Sequence, residues 1–265
     1  MMDKMILGRY IPGNSWLHRT DPRAKITAVM AFIVIVFLAN NWQTYTILFL
    51  YVLYLVFSSR VSFKFFLKGL LPIMWLIILT LVLQIFFTQG GDTLLAFGPI
   101  KITTLGLANG VKMFCRFILI IFMTTLLTLT TSPIELTDGL EKILAPFRVV
   151  RLPVHELALM LSISLRFIPT LMDETEKILK AQKARGVDFT SGKVKERIKS
   201  IVPLLVPLFI SAFKRAEDLA IAMEARGYRG NQGRTRFRLL KWRWADTFLM
   251  ISLGLLMLVL LWLKN

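Results

Sequence analysis

Apolar residues follow two rhythms along this chain. In five stretches they run almost unbroken: about Ile26–Ala39, Trp42–Phe57, Leu70–Phe87, Val111–Leu129 and Ala245–Leu263. Runs of this kind have no polar face to turn toward water, and they predict helices that cross a bilayer. The first two are short for a hydrocarbon core of about 30 Å, which takes about 20 residues. Trp42, Tyr45 and Tyr51 supply aromatic anchors of the interfacial kind there. Arg23 and Lys25 extend the first stretch and are expected to snorkel.

Between the fourth and fifth stretches the rhythm changes to the helical spacing of amphipathic segments. Ser132-Pro133-Ile134-Glu135 reads as an N-cap, a proline at the first helical position and an acidic first turn. It opens a helix to about Phe147 whose positions Leu136, Leu140, Ile143, Leu144 and Phe147 share a face. A second helix starts near His155, kinks or restarts at Pro169, and runs to Gly186. A basic linker, Gly192–Ser200, precedes a third helix opened by Pro203 and Pro207 and ending at Gly227. Its Ala212, Ala216 and Ala220 form either a row for close helix approach or ordinary helix-favouring alanines. The predicted fold is an all-α polytopic membrane protein with about five transmembrane helices and a cytoplasmic platform of amphipathic helices. Its expected parts are residues 1–131, 132–243 and 244–265.

The second and third of these helices end alike. Ala184-Arg185-Gly186 and Ala225-Arg226-Gly227 stand 41 residues apart, and at that offset Glu176 matches Glu217, Ile178 matches Leu219 and Ala181 matches Ala222. Glycine is the residue that ends a helix in the left-handed conformation without steric cost. An Arg beside it complements the helix dipole, which accounts for one such ending. Two endings of identical sequence point further. A guanidinium fork suits bidentate capture of carboxylates or carbonyls, and small flanking residues let a partner's backbone approach.

Charge orients the chain. Arg9, Arg19, Arg23 and Lys25 precede the first stretch, and Arg60, Lys64 and Lys68 fill the second connection. The first connection, Asn40-Asn41, is uncharged, and the third sets Asp92 against Lys101. The positive-inside rule places the N-terminus in the cytoplasm and, with five spans, the C-terminus outside the cell membrane. Lys112 and Arg116, in the first turns of the fourth stretch, either sit near the outer face or turn inward. Residues 132–243 hold 21 of the 33 Lys and Arg, consistent with a cytoplasmic location. The run Arg229–Arg243 reads most simply as juxtamembrane charge against anionic lipid.

Composition supports a membrane protein: 55% of the residues are hydrophobic and mean hydropathy is +0.63, with a net charge of +17. The first apolar run begins only near Ile26, after basic residues, so no cleavable leader is expected. One cysteine, Cys115, offers neither a disulfide framework nor a zinc cluster. No Gly-rich loop with Lys-Ser/Thr, His-Glu-x-x-His, Cys-x-x-Cys or Gly-x-Ser-x-Gly occurs. The centres of the apolar runs lack Asp and Glu, unlike the usual ion-coupled carrier. His18 reads as a structural hydrogen-bonder, and His155 lies too far along the chain to join it in a metal site.

With these residues in view, the sequence resembles the transmembrane T component of energy-coupling factor transporters, a branch of the ABC transporters. The likeness rests on Tyr10-x-Pro12-Gly13-x-Ser15-x-Leu17-His18 with Asp21-Pro22-Arg23-x-Lys25, on Arg166-Phe167-Ile168-Pro169, and most specifically on the two Ala-Arg-Gly triplets. The resemblance implies that these triplets, residues 184–186 and 225–227, bind two cytoplasmic ATPase subunits, usually a heterodimer. It also implies a separate membrane-embedded S component that binds a vitamin or other micronutrient. ATP and Mg2+ would then be bound by the partner ATPases, with no cofactor, metal or nucleic acid bound by this chain and no catalysis of its own. Length and basic character look more like the shared T component of Gram-positive bacteria than the cobalt or nickel versions. Two other classes fit the residues less well: a polytopic membrane enzyme using His18, His155 and Glu156, and a membrane anchor binding lipid or nucleic acid through Arg229–Arg243.

Overall fold

A computed structural model describes residues 10–88, 90–97, 100–150, 153–187, 189, 194–230 and 240–264. The chain divides into two compact units, residues 1–143 with 239–265, and residues 144–238.

The first unit is built on a short α1 (Trp16–Arg19) and the helices α2 (Pro22–Leu38), α3 (Trp42–Ser58), α4 (Phe63–Phe87) and α5 (Thr104–Thr130). The helix α6 (Pro133–Leu144) lies almost wholly in it. Each start carries a local signal. Asp21 caps α2 by accepting the Arg23 N–H, with Pro22 at the first helical position. Thr103 caps α5 through the Gly106 N–H. Ser132 and Glu135 form the expected capping box, Ser132 Oγ accepting from the Glu135 N–H at 3.3 Å and Glu135 Oε2 from the Ser132 N–H at 3.1 Å. Between α4 and α5 a hairpin interrupts the helices, β1 (Thr93–Phe97) pairing antiparallel with β2 (Ile100–Thr103) and Phe97 opposite Ile100. No periodic pattern in this connection predicts the hairpin.

Long apolar helices have to hide their polar backbones and find neighbours by shape, since lipid is as apolar as Leu. Here α5 touches α2, α3 and α4, with α4 running along it, and the final helix of the chain packs on α2 and more lightly on α3. Phe32, Leu48, Leu55, Phe66, Ile77, Leu119 and Leu260 are fully buried in one continuous core. On α4 the outer face is left open, with Leu71, Trp75 and Phe87 each about 70% exposed or more in the chain alone.

In the second unit a 3-10 turn (Ala145–Val150) precedes α7 (Val154–Ala184) and α8 (Val194–Ala225). A restart at Pro169 is ruled out, and one expectation is corrected. α7 continues through Pro169, and α8 begins at Val194, inside the expected linker, with Pro203 and Pro207 in its interior. A proline removes one donor and frees one carbonyl, a local loss that a long helix survives when its flanking turns stay bonded. The last helix, α9 (Trp244–Lys264), belongs to the first unit.

Among the described residues four helices are long and apolar enough to cross a membrane: α4, α5, α7 and α9 over Trp244–Leu263. The expected spans at α2 and α3 form 17-residue helices, about 26 Å long and at the lower limit for crossing. α7 meets the criterion through its first half, although the sequence reading placed it in the cytoplasm.

One charged side chain departs from expectation, and another takes one of the two placements left open for it. Lys25 does not snorkel: it is 5% exposed and donates to the Thr130 carbonyl at 3.0 Å and to Thr131 Oγ1 at 3.1 Å. Arg116 turns inward. It donates to Tyr45 Oη at 3.2 Å and lies over the Phe37 ring at 4.8 Å, at the end of the bundle where α2 turns into α3.

Candidate functional site

The two Ala-Arg-Gly triplets close α7 and α8 with the same backbone motif. In the first, the Gly186 N–H donates to the Lys183 carbonyl at 3.0 Å and the Val187 N–H to the Gln182 carbonyl at 3.1 Å. In the second, Gly227 donates to Glu224 at 2.8 Å and Tyr228 to Met223 at 3.0 Å. This pair of bonds is the Schellman ending, and it requires a left-handed residue after the cap. Gly186 at φ +84° and Gly227 at φ +71° provide it. Arg185 and Arg226 are therefore the C-caps themselves, each at the point where the helix stops and the chain turns away.

Both endings are open. Ala184, Arg185, Gly186, Ala225, Arg226 and Gly227 are all exposed, and nothing stands within 4 Å of where a side chain on either glycine would begin. Among the described residues neither guanidinium has a hydrogen bond or ion pair. Each triplet thus terminates its own helix as an unpartnered cation flanked by small residues.

Behind these ends, α7 packs against α8. Glu174 on α7 accepts from Ser211 Oγ and, at 3.0 Å, from Arg215 Nη2 on α8. Sequence reasoning missed this contact, although the repeat offset was its signal: Glu174 and Arg215 occupy equivalent positions, 41 residues apart. Of the expected alanine row, Ala212 is half-buried while Ala216 and Ala220 are exposed, so ordinary helix preference suffices for the latter two.

The N-terminal signature folds into a polar hub in the first unit. The His18 ring spans the turn, Nδ1 lying 2.6 Å from Ser15 Oγ and Nε2 3.1 Å from the Ile11 carbonyl. A neutral imidazole with its proton on Nε2 satisfies both contacts. Burial holds its pKa below the ordinary 6.5, nearby Lys25 adding to the shift and the Ile11 carbonyl opposing it. Gly13 admits the ring, since a Cβ there would lie 2.7 Å from its atoms. The Ile11 N–H donates to the Leu129 carbonyl at 3.0 Å, and Lys25 bonds the next two residues of the same chain end. Arg23 closes on Asp21 at 2.9 Å. Among the described residues no buried side-chain N or O of the hub lacks a partner, which makes it a brace. His155 is buried at the start of α7 in the other unit.

A bundle of apolar helices braced by a polar hub, with two exposed arginine-capped endings, defines an all-α polytopic membrane protein. Comparison with known proteins narrows the class. Residues 13–237 match the model of the CbiQ family, described as cobalt transport protein. The chain is 80% identical over 265 residues, the full length of both chains, to the energy-coupling factor transporter transmembrane protein EcfT of Listeria innocua. It is 57% identical over 264 residues to the protein of that name from Bacillus subtilis, and 56% over 265 residues to that of Macrococcus caseolyticus, again across the whole of each chain. The chain belongs to the CbiQ/EcfT family, the transmembrane components of energy-coupling factor transporters.

Proposed function

We propose that this chain couples ATP hydrolysis by two cytoplasmic ATPase subunits to the movement of a membrane-embedded S component that carries a vitamin or other micronutrient. Arg185 and Arg226 each dock on one ATPase subunit. The observation that carries this reading is the identical Schellman ending of α7 and α8, which exposes the same unpartnered arginine twice. A single capping arginine serves the helix dipole; two identical exposed ones suit two related sockets.

The apolar surface fits the same reading. Phe209, Ile210 and Phe213 on α8 and Met160 on α7 are each more than 60% exposed in the chain alone, more than a lone soluble domain leaves open. The S component and lipid would cover such faces. α7 and α8 act as the platform, and the Asp, Glu and Lys residues from Asp173 onward keep the second half of α7 in water. The spans are then α2, α3, α4, α5 and α9, with the N-terminus in the cytoplasm and the C-terminus outside. The chain performs no catalysis: ATP and Mg2+ bind to the partner ATPases. Full-length identity of 80% and 57% to proteins named for energy coupling favours the shared micronutrient module over a dedicated cobalt one.

Purification of the tagged chain with its transporter partners tests the reading. Arg185→Ala combined with Arg226→Ala should strip the ATPase subunits from the complex and abolish ATP-driven uptake. Intact assembly and uptake in that double variant would overturn it.

A further inference from the structure

Where α7 and α8 meet, a polar contact is set among apolar side chains. Among the residues of α8 whose burial is described, 200–225, none is fully buried, and the buried residues of α7, Val154, His155 and Ala158, all lie at its start. Around the meeting point the covered positions are half-buried, and they repeat: Leu171 with Leu171+41, which is Ala212, then Glu174 with Arg215 and Ile178 with Leu219. Each member of a pair thus turns the same face of its helix inward. At the centre of this face Glu174 receives both Ser211 and Arg215. Arg215 Nε is buried without a partner of its own, and among the described residues the Glu174 carboxylate is what holds its guanidinium.

The position of this contact has a geometric consequence. Glu174 stands 11 residues before Arg185, and Arg215 stands 11 residues before Arg226. Along a helix that is about 16 Å in both cases. Two helices joined at repeat-equivalent residues present their ends on arms of equal length. A slip of one helix by a turn against the other would shorten one arm relative to the other by about 5 Å.

We propose that the Glu174–Arg215 ion pair, with Ser211, is the pin that fixes the register of α7 against α8 and so matches the spacing of the two arginine ends to a pair of related ATPase sockets. Glu174 and Arg215 are positioning residues, acting through Arg185 and Arg226. The inference rests on the docking reading above for its functional half, and on the chain's own geometry for the rest.

The test uses the complete transporter, ATPases and S component included, in liposomes. Cys115→Ser removes the native thiol, and spin labels go on Lys183→Cys and Glu224→Cys, exposed repeat-equivalent sites beside the two ends. Glu174→Arg alone and Arg215→Glu alone should broaden the label distance distribution and lower ATP-driven uptake by at least about fivefold. The charge-swapped double variant should narrow the distribution again and restore uptake to within about twofold of the parent, the signature of a coupled pair. A distance distribution unmoved by both single reversals, or a swap that restores neither measurement, would overturn the pin. The docking reading fails on a different result, retention of the ATPases by the Arg185→Ala, Arg226→Ala variant, which leaves the label distances unaffected.

Discussion

The backbone N–H of Asp21 donates to Oδ1 of Asp246 at 2.7 Å, joining residues 225 positions apart. Asp246 is completely buried, and its other oxygen accepts the N–H of Arg243. One carboxylate therefore caps the start of α9 and ties it to the start of α2, while Asp21 uses its own side chain on Arg23. The chain leaves the membrane unit after α6 and returns at α9, and this bond joins Tyr51 Oη–Ser252 Oγ at 2.9 Å and Asn41 Nδ2–Leu263 O at 3.2 Å in holding the returning helix in place.

Asp246→Leu should accordingly be costly. It leaves the buried Asp21 N–H without its acceptor, at about 1–3 kcal/mol, and removes the cap from the part-buried Arg243 N–H as well. Thermal unfolding in detergent should show a marked fall in stability for Asp246→Leu. Asp246→Asn, which keeps one carbonyl acceptor, should lie between it and the parent. Equal melting of all three would show that water satisfies these donors.

The N-terminal turn should loosen in mild acid. The folded state holds His18 neutral, with a pKa below 6.5, so the opened segment binds the proton more readily. The contribution of His18 to stability is present above 6.5 and is lost as pH falls through the lower folded value. Hydrogen exchange of residues 10–20, corrected for intrinsic rates, should quicken between about pH 7.5 and about pH 5.5. His18→Gln should exchange faster at both values with no such step. A step that survives in His18→Gln would assign it to another group.

Much of this structure is written in local patterns, and the parts that are not share a cause. Caps and stops depend on residues within a few positions, so Asp21-Pro22, Ser132-Glu135 and the two glycines announce themselves. Lys25 does not: its acceptors on Thr130 and Thr131 lie more than 100 residues away, and nothing near it in sequence says that they will be there. The same holds for Arg116 with Tyr45 and for Asp246 with Asp21. The interior prolines of α8 misled for another reason. Proline breaks a marginal helix, but α8 has enough bonded turns on both sides to absorb it. The helix endings were fully legible as conformations; the docking proposed for them depends on partners and lies outside any single chain.

Membrane topology gives a third check. With α2, α3, α4, α5 and α9 as the spans and α7 in the cytoplasm, a reporter fused after Asn265 should report the outer side. Arg166 lies in the middle of the apolar part of α7, exposed, where a crossing helix would place it in lipid at about 2.5–3.5 kcal/mol. A thiol introduced at Arg166 in the Cys115→Ser background should be labelled by reagents from the cytoplasmic side. Protection of that thiol from both sides, with a cytoplasmic reporter at the C-terminus, would make α7 a span and change the parity.

The last prediction separates the two things each triplet does, stopping a helix and offering an arginine. Arg185→Ala and Arg226→Ala leave the glycines and the Schellman bonds in place. On the chain's own stability each should cost less than about 1 kcal/mol, the scale of a cation at an exposed helix end. On ATPase docking each should cost about 2–5 kcal/mol, because the partner's buried acceptors are left unpaired. At about 1.4 kcal/mol per factor of ten, that is well over tenfold in affinity for the isolated ATPase subunit. Gly186→Ala and Gly227→Ala invert the pattern. A Cβ there meets no neighbouring atom, so the cost is backbone strain at positive φ, about 1–2 kcal/mol, and it should speed hydrogen exchange at the Val187 and Tyr228 amides. Gly→Asn at either site should be milder, since Asn tolerates the left-handed region. With two sockets on one ATPase dimer, avidity will mask a single arginine loss in co-purification, so affinity for one subunit at a time is the measurement that decides. Docking that falls in the glycine variants and not in the arginine variants would mean that the helix stop, rather than the guanidinium, is what the ATPase reads.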